Sequence, residues 1–221
     1  RAGGAGGAAA HDFGGTAGSG GGDAGGAIKS PRMTTPRTKI AFIGSHGVGK
    51  TTLCYGLAAR LKTRDVAVEV VHEVARRCPL PINEETSVAA QSWILHTQIA
   101  EELVALARYP TVICDRSVLD NYIYLLLSAG RQEALDPLVQ AWTVGYDLLV
   151  HVPVIEQPSP DGIRSANPAF QLAVEERLNR ELAERGIEAL RLDPGERSAW
   201  LDVVGREVSD RVIGPVQLPL L

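Results

Sequence analysis

Residues Gly44, Ser45, His46, Gly47, Val48, Gly49, Lys50 and Thr51 carry the spacing G-x-x-x-x-G-K-[ST], and Thr52 continues it. Glycines in such a loop let several backbone N–H groups converge on one point, which suits phosphate oxygens. The apolar run Lys39 to Ile43 precedes the loop, and a segment with Leu53, Leu57 and Leu61 at helical spacing follows it. The loop is therefore placed between a strand and the N-terminus of a helix, where the helix dipole adds to the amides. Lys50 is placed to reach β- and γ-phosphates, and Thr51 to offer its hydroxyl to Mg²⁺. The chemistry implied is the binding of Mg-ATP, with Gly44 to Thr52 as the nucleotide-binding residues.

Two carboxylates stand where an open parallel sheet collects its ligands, just beyond the carboxyl ends of strands. Glu73 follows the run Val66 to Val71, and Asp115 follows Thr111 to Cys114. Asp115 is the expected partner of Thr51 on the metal. Glu73 is placed to accept the proton of an attacking hydroxyl. The alternative for each is a helix cap or an ion pair with arginine. Arg116 is positioned to meet a phosphate, and Arg164 lies in the turn Asp161-Gly162-Ile163-Arg164 of a proline-rich loop of the kind that closes over sites. A surface ion pair is the alternative for Arg116. Arg177 and Arg180, farther along, read equally well as a solvated helix face.

Gln91 and Gln98 share one side of a helix, where amides can read the hydrogen-bonding edge of an acceptor, and Trp93 or Tyr122 can stack on it. Packing or plain exposure explains each of these four as well. His46 and His72 are given no chemistry of their own.

These residues need a scaffold of alternating strands and helices, and the chain supplies one. Strands are expected at Lys39–Ile43, Val66–Val71, Thr111–Cys114, Asp147–Val152 and Ile187–Leu192. Helices are expected at Gly49–Leu61, Glu84–Arg108, Leu119–Ser128, Arg131–Trp142, Ala169–Glu184 and Arg197–Val212. The result is an α/β protein with a five-stranded parallel sheet. Residues 1–32 are Gly- and Ala-rich without an apolar period, so they read as a flexible linker or expression tag before a natural start at Met33, with one domain over 33–221.

The chain carries 22 basic and 26 acidic residues, a net charge of −4, which argues against a general nucleic-acid binder. Three cysteines, Cys54, Cys78 and Cys114, lack metal or redox spacing and read as reduced thiols of a cytoplasmic protein. No apolar run is long enough to suggest a membrane span, and no signal peptide follows Met33.

The stretches IAFIGSHGVGKTTL, HEVAR, VICDRSVLDNYIY and the DGIR loop together resemble the P-loop kinases of small molecules. They look most like the ribosylnicotinamide-kinase-like domains of the NadR type and the allied AAA-type ATPase and kinase group, and more distantly like deoxynucleoside and thymidylate kinases. The resemblance spans most of residues 38 to 192. It implies a three-layer P-loop NTPase sandwich with strand order 2-3-1-4-5, Glu73 as base, and Asp115, Arg116 and Ser117 at metal and phosphates. The lid of those kinases carries several arginines; here the loop offers chiefly Arg164. The function implied is transfer of the γ-phosphoryl group of ATP to a hydroxyl of a nucleoside-like small molecule. A monophosphate acceptor served by Arg76, Arg77 and Arg164, or a regulatory ATPase switch, are the alternatives. A homodimer stays open.

Overall fold

The computed structural model describes residues 37–156 and 167–212. The expected linker at 1–32 and the DGIR loop with Arg164 lie outside the described residues.

Strand β1 (Thr38–Ile43) runs into the glycine loop and helix α1 (Lys50–Lys62). Strand β2 (Val68–Val71) leads through two short 3-10 turns to α2 (Val88–Arg108) and β3 (Thr111–Asp115). Helices α3 (Val118–Ala129) and α4 (Asp136–Thr143) follow, then β4 (Leu148–His151), α5 (Pro168–Glu184), β5 (Leu190–Arg191) and α6 (Trp200–Val212). The five strands are parallel, in the order β2-β3-β1-β4-β5. That is the expected three-layer fold and sheet order.

Side chains of a strand alternate between faces, and here each face meets its own helices. Ala41 and Ile43 of β1 with Val112 and Cys114 of β3 pack among Leu95, Leu119, Ile123 and Leu178 of α2, α3 and α5. Ile40 and Phe42 with Ile113 and Val150 pack among Leu53, Leu57, Trp200 and Val204 of α1 and α6. Both faces of the central strands are covered, which is why these runs are apolar throughout rather than alternating.

Several boundaries differ from expectation for local reasons. Helix α2 begins at Val88 and not at Glu84, because the Ser87 hydroxyl accepts the Ala90 N–H as an N-cap and Asn83 adopts a positive φ of 61°. Helix α4 starts at Asp136 rather than Arg131, with a proline in its first turn. At the sheet edge β5 pairs with β4 only through Leu190 and Arg191, and β2 joins the ladder at Val68. Cys54, Cys78 and Cys114 are free thiols. Among the described residues no helix is long and apolar enough to cross a membrane.

Candidate active site

Register puts the chemistry on one edge. Phe42 pairs with Asp115 and Val71 with Cys114, so the glycine loop after Ile43, Glu73 after β2, and Asp115 at the end of β3 emerge side by side. Gly44 turns the chain off β1 with φ of 137°, and a Cβ there would sit 2.4 Å from the Val152 carbonyl oxygen, so only glycine fits. Gly49, at φ 97°, stands at the cap position of α1.

Lys50 is buried, and its Nζ donates to the carbonyls of Gly44 at 2.7 Å and Ser45 at 2.5 Å, lying along its own loop. Burial, aided by the nearby Arg116 cation, lowers its pKa from 10.5 to about 8 against the pull of Asp120, Glu73 and Asp115. Thr51 donates its hydroxyl to Asp115 Oδ2 at 2.6 Å. Among the described residues no group of three or more His, Cys, Asp or Glu is placed to hold a metal. A hydroxyl beside one carboxylate fits Mg²⁺, which takes few protein oxygens and fills its shell with phosphate and water. Thr52 is exposed, and Val48 is buried against the α1 face.

Arg116 is the hub. It has a positive φ of 102°, rare for a residue with a side chain, and it is buried. Its Nε donates to Glu73 Oε1 at 2.7 Å, Nη1 to Asp120 Oδ2 at 2.6 Å, and Nη2 to the Tyr124 hydroxyl at 3.3 Å. Burial works against this cation, but the facing Tyr124, Asp120 and Glu73 outweigh it and hold its pKa well above the usual range. Glu73 Oε2 also accepts from Arg76 Nε at 2.8 Å. Asp120 turns its other oxygen to the Gly44 N–H at 3.1 Å, so one carboxylate joins the start of the phosphate loop to the arginine. Burial pushes the Tyr124 hydroxyl up to about 12.

Beside this hub is a small recess of about 30 Å³ lined by His46, Glu73, Arg76, Arg116, Asn121 and Tyr124, with Gln91 and the aliphatic Ile82 and Ile94 across from them. The Asn121 amide nitrogen is buried with no partner among the described residues. Gln91 donates to the Thr86 hydroxyl at 2.9 Å while lining the recess.

Gln98 and Tyr122 do not reach the recess, contrary to expectation. Two turns of helix carry Gln98 past the sheet edge, where it is fully buried and donates to Glu102 at 2.9 Å and to the Arg116 carbonyl at 3.3 Å. Tyr122 follows Asn121 by about 100° around α3 and so turns into the core, its hydroxyl accepting the Gln132 N–H at 3.0 Å. Trp93 is also outside the recess lining. Asp120, Asn121 and Tyr124 take the places on α3 that sequence reasoning missed. The signal for them is their place in the stretch VICDRSVLDNYIY, four to eight residues after Arg116. Arg77 pairs with Glu101 on α2 and does not line the recess.

An AAA-domain family model matches residues 39–199, and the chain belongs to that family. No curated protein matches it significantly. Two solved structures of NadR are similar, each at 20% identity over 84% of this chain. The one in complex with NR has a TM-score of 0.63 and the one with NAD and AMP-PNP a TM-score of 0.64. This chain spans about half of those NadR chains, 54% and 51% respectively. Deoxyadenosine kinase from M. mycoides with bound dATP is similar at 14% identity and TM-score 0.55, over 78% of this chain and all of that one. At these identities the likeness is one of fold.

Proposed function

We propose that the protein is a Mg²⁺- and ATP-dependent kinase that phosphorylates a hydroxyl of a nucleoside-like small molecule. The observation that carries the reading is that the recess beside the phosphate loop contains both a buried carboxylate, Glu73, and a buried cation, Arg116, bonded at 2.7 Å. The acceptor oxygen attacks the γ-phosphorus, the bond from that phosphorus to the β–γ bridging oxygen breaks, and the hydroxyl proton passes to Glu73. Gly44 to Thr52 hold the donor phosphates, with Lys50 swinging from its own carbonyls to theirs. Thr51 and Asp115 hold Mg²⁺, which when bound neutralises charge on the transferring group. Arg116 orients Glu73 and faces the phosphate. Arg164, a few residues before α5 in the chain, supplies a second cation. Gln91 and Asn121 hydrogen-bond the acceptor.

The test is consumption of ATP with a panel of nucleosides, ribosylnicotinamide and nucleoside monophosphates. Binding of MgATP with no phosphorylated product from any of them ends the kinase reading. A monophosphate acceptor is favoured by one observation, the presence of Arg76 in the recess lining. For that acceptor Arg76→Ala should raise the KM strongly, and an unchanged KM excludes it.

A further inference from the structure

The phosphate loop is gripped from outside by the first turn of α5. Gln171, only 2% exposed, donates from Nε2 to the His46 carbonyl at 2.9 Å, and its own carbonyl accepts the Ser45 hydroxyl at 2.9 Å. The neighbouring Phe170 stacks on the His46 imidazole with centroids 5.8 Å apart and planes at 28°, and meets Tyr124 edge-on at 5.9 Å. The Tyr124 hydroxyl lies 3.4 Å from His46 Nδ1. Two consecutive residues of α5 thus hold two consecutive residues of the loop, across more than a hundred residues of chain.

The consequence lies in the geometry of the peptide bond. A carbonyl only accepts, so the amide nitrogen of Gln171 must be the atom facing His46. The carbonyl and the N–H of a planar trans peptide point in opposite directions. Holding the His46 oxygen on α5 therefore turns the Gly47 N–H away from α5. Gly47 itself, at φ 78° and without a side chain, does nothing to stiffen that peptide.

We propose that Gln171 is a positioning residue for the triphosphate: by fixing the His46–Gly47 peptide it preorganises the loop amides that bind phosphate. The inference rests on the nucleotide-binding reading of Gly44 to Thr52 and does not depend on the acceptor. Preorganisation removes an ordering cost that a loose loop would pay on binding.

Calorimetry on the full chain, with MgATP and with Mg-tripolyphosphate as probes, tests it. Gln171→Met keeps the length and packing of the side chain and removes the donor. It should weaken both probes by about three- to tenfold, with the nucleotide-free protein still folded and its melting temperature lowered by only about 2–4 °C for the buried His46 carbonyl left without its donor. Ser45→Ala removes the second bond and should weaken both probes in the same direction, which keeps the test alive if the Met variant misfolds. Unchanged affinity in a folded Gln171→Met or, failing that, in Ser45→Ala overturns the proposal. So does a loss for MgATP alone, since that would place the effect at the base. If the wild type binds both probes but phosphorylates no acceptor, the kinase reading falls and this inference stands. If it binds neither, both fall.

Discussion

Arg116 donates from Nε to Glu73 Oε1 at 2.7 Å, and both side chains are more than nine-tenths buried. A buried ion pair contributes little net stability, because desolvation of the two charges offsets their attraction. Its value here is orientation: it fixes the carboxylate at the wall of the recess.

Glu73→Gln keeps the shape and one acceptor oxygen for the arginines but removes the base. Phosphoryl transfer should fall by about a hundredfold or more, the usual contribution of a general base, while MgATP affinity stays within about twofold. Steady-state kinetics beside a binding titration separate the two. A variant with near-normal turnover would remove Glu73 from the chemistry.

Lys50 makes a pH-dependent contribution of opposite sign to stability and to function. Its pKa in the fold is about 8, below the ordinary 10.5, so the unfolded chain binds the proton more tightly. Between those values folding releases a proton, and the nucleotide-free protein gains stability as pH rises from about 8 toward 10.5. Below about 8 the buried ammonium carries its full cost, about 3 kcal/mol. Lys50→Met should raise the nucleotide-free melting temperature at pH 7 by about 5 °C and flatten the alkaline rise relative to the wild type. The same variant should lose MgATP binding, and wild-type affinity should decline as pH climbs through about 8. Melting curves across pH for both proteins check it.

The strands are legible in the sequence because each is a short apolar run ended by turn residues, and the phosphate loop because its glycines are needed at fixed spacing. What is not legible is depth. Gln91 and Gln98 share a face of α2, but a helical period gives no indication of how far along that face the sheet edge falls, and only Gln91 lies at the recess. Asp120 is invisible for a different reason: its two partners, Gly44 and Arg116, are brought together by the pairing of β1 with β3. Gln171 and His46 meet only because α5 docks on the loop.

The contrast between those residues makes its own prediction. Gln91→Ala opens the wall of the recess and should raise the acceptor KM by about tenfold, the loss of roughly one hydrogen bond to a bound molecule. Tyr122→Phe removes the acceptor for the Gln132 N–H and the hydroxyl bonded to Asp136, both away from the recess, and should leave that KM unchanged, at a stability cost of about 1 kcal/mol. Acceptor saturation curves and thermal melts of the two variants check it. A large KM effect from Tyr122→Phe would mean that the tyrosine leaves the core when the acceptor binds.

Thr51 and Asp115, 2.6 Å apart, are the oxygen pair expected at the metal. Asp115→Asn retains an acceptor for the Thr51 hydroxyl but removes the charge that favours a divalent cation. ATP affinity in the absence of magnesium should change little, or improve slightly as one negative charge leaves the triphosphate site. The gain in affinity on adding magnesium should shrink by about tenfold or more, and turnover should fall with it. Thr51→Ala, which deletes only the neutral ligand, should show the same pattern more weakly. The measurement is a set of ATP titrations at fixed magnesium concentrations for the three proteins. An undiminished magnesium effect in Asp115→Asn would remove this carboxylate from the metal site.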